Sequence, residues 1–205
     1  MLNVLLIQPP YVQVPGRFNQ SPPVPPLGIA YLAAYIHERM AGRAQVRIID
    51  AFSLGWDQQR VLREIRSQAP DVVGWTTVTL TANFVKHTAP YVRKHLPETL
   101  QLAGGPHASA LPGDLLPAVD ATVQGEGELT FLEFLEHATG GRDWRHLHGL
   151  SFLDDGNLVQ NPRRELIADL DALPFPARNL LPMHLYEHHY PYKTRNKNFT
   201  TFFTS

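Results

Sequence analysis

Short apolar runs alternate with amphipathic segments along the first 140 residues of the chain. Continuous apolar runs are typical of strands that are buried on both faces of a sheet. Five such runs occur, at residues 2–7, 45–50, 71–75, 99–105 and 121–123. Strands that alternate with helices form doubly wound parallel sheets with right-handed crossovers. We therefore predict an α/β fold around a five-stranded parallel sheet of the flavodoxin-like or Rossmann-like kind.

The segments between these strands carry apolar residues at helical spacing. In the helix predicted at residues 27–40, the face expected to be core carries Leu27, Tyr31, Ala34 and Tyr35. Asp57 is suited to cap the second helix. Pro90 predicts a kink or an end in the third helix, because proline removes a backbone donor. The leucines at positions 129, 132 and 135 predict a last helix at residues 128–138, which packs on the sheet.

Beyond Gly141 the pattern changes. Residues 149–161 predict a hairpin, with Asp155 and Gly156 at its turn. A connector punctuated by prolines follows, and "NFTTFFTS", residues 198–205, is a β-rich run with nothing in the chain to pair with. We expect residues 1–142 to form a ligand-binding domain. We expect residues 143–205 to supply the hairpin, the linker and the first strand of a further domain that the chain lacks.

The composition and charge of the chain argue against several classes of protein. Apolar residues make up 43% of the 205 residues and charged residues 18%, which is typical of a globular chain. A net charge of −1 argues against non-specific binding to nucleic acid or acidic membranes. No apolar run approaches the ~20 residues that span a bilayer, and the first ten residues lack the basic start of a signal peptide. The expectation is a cytoplasmic protein without a membrane span. Cysteine is absent, which excludes disulfides and thiolate ligands within these residues.

Ligands of open parallel sheets bind outside the carboxyl ends of the strands. The segments that follow the predicted strands are rich in glycine, proline and threonine: "QPPYVQVPG", "TTVT", "GGPHAS" and "QGEGE". Glycine lets a ligand approach the backbone, and threonine hydroxyls donate hydrogen bonds without adding charge. This combination favours a long, partly apolar ligand over a compact phosphate. The carboxylates of "GEGE" also argue against a phosphate loop.

Each of these features has a simpler interpretation. Gly104 and Gly105 alone are compatible with a tight turn, and His107 with a loop or capping histidine. Glu126 and Glu128 are compatible with a charged first turn of the following helix. The histidines of the connector have spacing that would suit a metal, but they lie in an irregular segment, and we predict no metal site there; they are His184, His188 and His189.

The order of the motifs is more specific than any one of them. "VLLIQPPY", "PPLGIAYLAAYI", "TTVT", "GGPHAS", "QGEGE" and "LPFPARNLL" follow one another along nearly the whole chain. In this order they resemble the cobalamin-binding half of radical S-adenosylmethionine enzymes. In that family a radical domain follows, and its first strand leads into a cysteine motif that holds a four-iron four-sulfur cluster. "NFTTFFTS" resembles the approach to that motif, and the cysteine motif would then lie just beyond Ser205.

The resemblance implies that this domain binds cobalamin, with the iron–sulfur cluster and S-adenosylmethionine in the missing radical domain. Gly104 and Gly105 would leave room for the nucleotide tail, which the threonines would hydrogen-bond. Pro106, His107 and the turn at residues 125–128 would shape the rim facing the corrin ring. No catalytic or metal-binding residue is implied. The full set of implied cofactor-binding residues is Pro10, Tyr11, Thr76, Thr77, Val78, Thr79, Gly104, Gly105, Pro106, His107, Gly125, Glu126, Gly127 and Glu128.

The chain departs from cobalamin proteins of the mutase and methionine-synthase type. Their Asp-x-His-x-x-Gly motif after the first strand supplies a histidine to cobalt, whereas "QPPYVQVPG" contains no histidine. We therefore expect no cobalt ligand from that loop.

The whole enzyme is then expected to be a methyltransferase acting on an unactivated carbon or phosphorus centre. An anaerobic oxidative cyclase of tetrapyrrole synthesis fits equally well. The alternative class is a flavodoxin-like module that binds a flavin or nucleotide, or that signals, without catalysis. A phosphoacceptor module would need clustered acids after strand one, where Gln8, Pro9 and Pro10 stand instead.

Overall fold

Seven strands and five helices are formed by the residues that the computed structural model describes, which are 1–11 and 24–186. The strands are β1 (Leu2–Gln8), β2 (Ala44–Asp50), β3 (Val72–Thr76), β4 (Leu100–Gly104), β5 (Ala121–Val123), β6 (Leu150–Asp154) and β7 (Asn157–Gln160). The helices are α1 (Leu27–Arg39), α2 (Gln58–Gln68), α3 (Thr79–His95), α4 (Pro106–Ala110) and α5 (Glu128–Thr139). None of these helices is long and apolar enough to cross a bilayer.

All seven strands join one sheet in the order β2-β1-β3-β4-β5-β6-β7. The first five strands are parallel, which confirms the predicted α/β fold. The strand order reverses between β1 and β3, and parallel sheets of this order bind ligands at that point. The strand order alone therefore predicts a ligand site at the carboxyl ends of β1 and β3.

The predicted hairpin forms and extends the same sheet. β6 pairs antiparallel with β5, and β7 pairs antiparallel with β6. Asp155 and Gly156 have φ values of 47° and 81°, as a two-residue hairpin turn requires. The sheet thus continues from β5 into residues 150–160 without a break.

The helices cover the sheet on two sides. α1 and α5 pack on one face, against Val4, Leu6 and Val72, whereas α2 and α3 pack on the other, against Leu5 and Ile7. This division follows from the alternation of side chains along each strand. Asp57 caps α2 as predicted, because its side chain accepts a hydrogen bond of 2.7 Å from the backbone nitrogen of Arg60.

The buried face of α1 agrees only in part with the predicted one. Leu27 and Tyr35 are buried as predicted, whereas Tyr31 and Ala34 are only half-buried. The row that packs into the core on the sheet is Ile29, Ala33 and Ile36. Because α1 is apolar nearly all round, its sequence is compatible with two neighbouring stripes, and packing on the sheet selects between them.

Two other features differ from the sequence patterns. Helix α3 continues through Pro90 to His95, with the proline ring on its exposed side. A short helix, α4, follows β4, and a turn of 3₁₀ helix at Pro112–Asp114 comes next. Both lie in a segment too short and too poor in apolar periodicity to predict a helix.

The connector after β7 returns across the face that carries α1 and α5. The backbone nitrogen of Ala177 donates to the carbonyl of Ala30 at 3.0 Å, and Leu181 and Tyr186 pack against Ala30. The Tyr186 hydroxyl then donates to Asp50 Oδ2 at 2.7 Å. His184 is exposed, whereas His188, His189 and the predicted strand at residues 198–205 lie outside the described residues.

Candidate functional site

A cavity of about 230 Å³ opens at the carboxyl ends of β1, β3, β4 and β5, on the face covered by α1 and α5. Its position coincides with the reversal of strand order, where open parallel sheets take their ligands. Apolar side chains and glycines dominate its wall, and the polar side chains are one threonine and two glutamates. The lining residues are Leu6, Gly28, Ile29, Leu32, Gly74, Trp75, Thr76, Leu102, Gly104, Gly105, Val123, Gly125, Glu126, Gly127, Glu128 and Phe131.

Gly104, the last residue of β4, and Gly105, the first residue after it, are glycine for different physical reasons. Gly105 has a φ of +95°, and a Cβ placed on it would lie 2.8 Å from the carbonyl oxygen of Thr77. The backbone therefore requires glycine at position 105. Gly104 has an ordinary backbone, and a Cβ on it would meet only Val123 Cβ, at 3.8 Å. Among residues 1–11 and 24–186 nothing requires glycine at position 104, and its missing side chain leaves space in the cavity.

Other glycines widen the cavity in the same way. A Cβ on Gly28, in the first turn of α1, or on Gly127, before α5, would meet no atom within 4 Å. Gly74 differs, because a Cβ there would lie 2.7 Å from Leu6 Cδ2, so the end of that side chain would have to shift. The cavity thus has open glycine walls around an apolar floor.

Hydrogen bonds join the turn after β3 to the turn after β4. The backbone nitrogen and the hydroxyl of Thr77 each donate to the carbonyl of Gly104 at 2.8 Å. The backbone nitrogen of His107 donates in turn to the Thr77 carbonyl at 3.1 Å. The Thr77 hydroxyl is therefore used within the protein, and Thr76 is the threonine that lines the cavity.

His107 is buried in a network that lies away from the cavity wall. Its Nε2 is 2.8 Å from Asp114 Oδ2, and its Nδ1 is 3.5 Å from the Thr79 hydroxyl. Lys86 Nζ is 2.6 Å from the other oxygen of Asp114. The hydrogen bonds from Lys86 and His107 hold the pKa of Asp114 below its ordinary value. The network fixes α4 against α3 and thereby supports the turn at Gly104 and Gly105.

Pro10 and Tyr11 lie toward the other edge of the sheet, beside β2. The Tyr11 ring packs edge-on against Phe52, with 4.4 Å between the ring centroids. Close by, the buried Asp50 accepts hydrogen bonds from Ser53 and Tyr186. Burial raises the pKa of Asp50 in spite of these hydrogen bonds. Burial, and then the charge of Asp50, also raise the pKa of Tyr11.

Glu126 and Glu128 bring two carboxylates to the cavity wall. Glu126 Oε2 accepts a hydrogen bond of 2.7 Å from the backbone nitrogen of Ile167, which ties the connector to this side of the cavity. Glu128 begins α5 and is half-buried. Burial, and then repulsion from Glu126, raise the pKa of Glu128.

The structure brings half of the sequence-derived candidates to the cavity. Those that line it are Thr76, Gly104, Gly105, Gly125, Glu126, Gly127 and Glu128. Those outside its lining are Pro10, Tyr11, Thr77, Val78, Thr79, Pro106 and His107. The sequence did not single out the floor, formed by Leu6, Ile29, Leu102 and Phe131, because apolar residues on strands and helices look like ordinary core.

The cavity is suited to holding one part of a ligand. It is smaller than the ~300–1,000 Å³ typical of sites that enclose a whole small molecule, so it suits one flat, largely apolar part of a larger ligand. Within residues 1–11 and 24–186, no group of three histidines or carboxylates is arranged to hold a metal ion.

The sequence of the chain is similar to those of known proteins. Residues 20–135, more than half of the chain, match the family model of the B12 binding domain. The chain is 34% identical over 191 residues to an uncharacterized methyltransferase of Pyrococcus horikoshii, covering 91% of this chain and 40% of the relative. It is 28% identical over 183 residues to the anaerobic magnesium-protoporphyrin IX monomethyl ester cyclase of Rubrivivax gelatinosus, covering 84% of this chain and 32% of the relative. The chain thus spans two fifths or less of these relatives.

A solved structure has the same fold. The cobalamin-dependent S-adenosylmethionine radical enzyme OxsB, with aqua-cobalamin and S-adenosylmethionine bound, matches with a TM-score of 0.74 at 18% identity. The match covers 90% of this chain and 25% of that one. At this identity the likeness shows the fold alone.

Proposed function

Because this chain belongs to the family of B12-binding domains, we propose that its cavity holds the nucleotide tail of cobalamin. The corrin ring would then lie over the carboxyl ends of the strands. The observation that carries this proposal is the space at Gly104, which the packing of residues 1–11 and 24–186 does not explain. The volume of the cavity supports it too, because about 230 Å³ suits the tail rather than the whole cofactor.

The residues present fit such a group. The apolar floor would contact the flat base of the tail, and Thr76 would hydrogen-bond it. Gly28, Gly104 and Gly127 would let it approach the backbone on three sides. The hydrogen bonds that bind Thr77 to Gly104 keep this wall in place without the ligand.

For the whole protein we propose a cobalamin-dependent radical S-adenosylmethionine enzyme. Bound cobalamin would supply a methyl carrier, and the chemistry would be methyl transfer to an unactivated carbon or phosphorus centre. An oxidative cyclase is the second candidate. The relatives named as a methyltransferase and as a cyclase support this class of enzyme. The iron–sulfur cluster and S-adenosylmethionine would be held outside these 205 residues, which contain no cysteine.

The test is cofactor retention by the 205-residue chain. Purified protein is mixed with hydroxocobalamin, desalted, and examined by ultraviolet–visible spectroscopy, with flavin mononucleotide and ATP in parallel mixtures. We expect the corrin spectrum to stay with the protein in a stoichiometry near one. Loss of cobalamin together with retention of the flavin or nucleotide would replace the proposal with the flavodoxin-like alternative. Retention of none of the three ligands would contradict it outright.

A further inference from the structure

The two glutamates of the cavity wall have different partners. The carboxylate of Glu126 is already used, because it accepts the backbone hydrogen bond from Ile167. The backbone N–H groups of Gly127 and of Glu128 itself lie near the Glu128 carboxylate and act to lower its pKa, against the larger effect of burial. Within residues 1–11 and 24–186, no side chain hydrogen-bonds to Glu128. Glu128 is therefore the carboxylate of the wall that has acceptor capacity left for a ligand.

The surroundings of Glu128 determine which ligand groups it favours. It lines the cavity together with apolar residues, and a second carboxylate, that of Glu126, lies close enough to raise its pKa. A half-buried carboxylate gains most from a neutral hydrogen-bond donor, and it loses most from a further negative charge. Since each carboxylate oxygen has two lone pairs, the backbone contacts leave positions for such a donor.

We propose that Glu128 is a specificity-determining residue of the cavity, which accepts a hydrogen bond from a neutral N–H or O–H group of the corrinoid ligand and disfavours corrinoids that carry a carboxylate at that place. This inference rests on the proposed function and goes beyond it, because it assigns the choice among related corrinoids to one side chain. Cobalamin offers two sources of such a donor, the primary amides at the edge of the corrin ring and the ribose hydroxyl of the tail.

The experiment measures dissociation constants by the quenching of tryptophan fluorescence, since Trp75 belongs to the cavity wall. The ligands are hydroxocobalamin and its monocarboxylic acids, in which one propionamide is hydrolysed. The proteins are the native chain, Glu128→Ala, Glu128→Gln and the control Glu98→Ala. Glu98 is exposed and precedes β4, at the opposite edge of the sheet from the cavity. Thermal unfolding of each variant checks that it is folded.

Glu128→Ala is expected to weaken hydroxocobalamin binding about 10-fold or more, because a hydrogen bond to a charged group is lost. Glu98→Ala should not change it. If the donor is a corrin amide, the native chain discriminates against at least one of the monocarboxylic acids, and Glu128→Gln removes that discrimination. If all the acids bind the native chain like hydroxocobalamin, Glu128 does not select among corrinoids and the specificity role is wrong; a penalty of Glu128→Ala that remains would then indicate only a hydrogen bond from the ribose hydroxyl.

Two failures can be told apart. If the native chain binds hydroxocobalamin and folded Glu128→Ala binds it within a factor of two, the role of Glu128 is wrong and the proposed function stands. If the native chain does not bind hydroxocobalamin, the proposed function itself has failed. Glu128→Gln keeps the shape of the side chain, so it provides the comparison should Glu128→Ala not fold.

Discussion

Replacing Gly104 with leucine tests directly whether the cavity is the cofactor site. The backbone of Gly104 accepts any side chain, and its Cβ position touches only Val123. The remaining atoms of a leucine must therefore enter the cavity. Removal of a buried leucine side chain leaves a hole on the order of 150 Å³. The reverse change would thus fill more than half of the 230 Å³.

The expected result separates binding from folding. Leucine at position 104 buries apolar surface and replaces a glycine in a strand, so the free energy of unfolding should stay the same or rise by up to about 2 kcal/mol. Hydroxocobalamin should no longer remain with the protein after desalting. Gly104→Ala is the graded comparison: its single methyl group fits 3.8 Å from Val123 Cβ and takes up only a small part of the cavity, so it should weaken retention less than Gly104→Leu does. A Gly104→Leu protein that unfolds at the native midpoint and still retains hydroxocobalamin would refute the placement of the tail.

Three further changes test the surroundings of the site. Gly105→Ala places a Cβ 2.8 Å from the Thr77 carbonyl at a φ of +95°, and should lower the free energy of unfolding by more than about 1 kcal/mol in urea titrations; an unchanged midpoint would contradict this. Burial raises the pKa of Asp50 above 3.8, so its contribution to stability is present at low pH and is lost as the pH rises through the folded-state pKa. Asp50→Asn should remove this decline in urea titrations from pH 4 to 8, and equal slopes in both proteins would count against it. The pKa of Asp114 is lowered, so its contribution is present above pH 3.8 and is lost as the pH falls through the lower folded-state pKa. Asp114→Asn should therefore show a smaller loss of stability in acid than the native chain, and an identical acid transition would be the opposing result.

The sheet could be predicted from the sequence because its strands are buried on both faces. A run such as residues 2–7 has no polar residue except Asn3, so it is compatible with little else than a central strand. The hairpin could also be predicted from the sequence, because Asp155 and Gly156 are residues that adopt the positive φ values of its turn.

The floor of the cavity could not be predicted, for a related reason. Leu6, Leu102 and Phe131 are apolar residues of regular elements, and the same residues would serve in a closed core. Whether α1 and α5 meet above them or leave a gap depends on side chains from four strands and two helices. The local sequence of each element contains no signal for that gap.

His107 shows how a correct motif can contain residues with another role. The resemblance to the cobalamin-binding family implied that it belongs to the rim facing the corrin ring. Its ring nitrogens face Asp114 and Thr79, which lie 7 and 28 residues away in segments that the sequence does not connect with it. Only the packing of α4 against α3 brings these groups together. In the described structure the His107 imidazole therefore stabilises the turn at Gly104 and Gly105.

Gly104, at the end of β4, and the adjacent Gly105 differ in whether the fold itself requires glycine. Gly105 has its positive φ and its close approach to Thr77 whether or not a ligand is present, so any protein with this turn would need glycine there. Gly104 has neither constraint, and glycine in a strand costs stability relative to a larger residue. Gly104 weakens its own strand and relieves no crowding among the residues that the structure describes, so their packing does not account for it. We propose that the reason is the space over the carboxyl ends of β3 and β4, where the cofactor tail would lie.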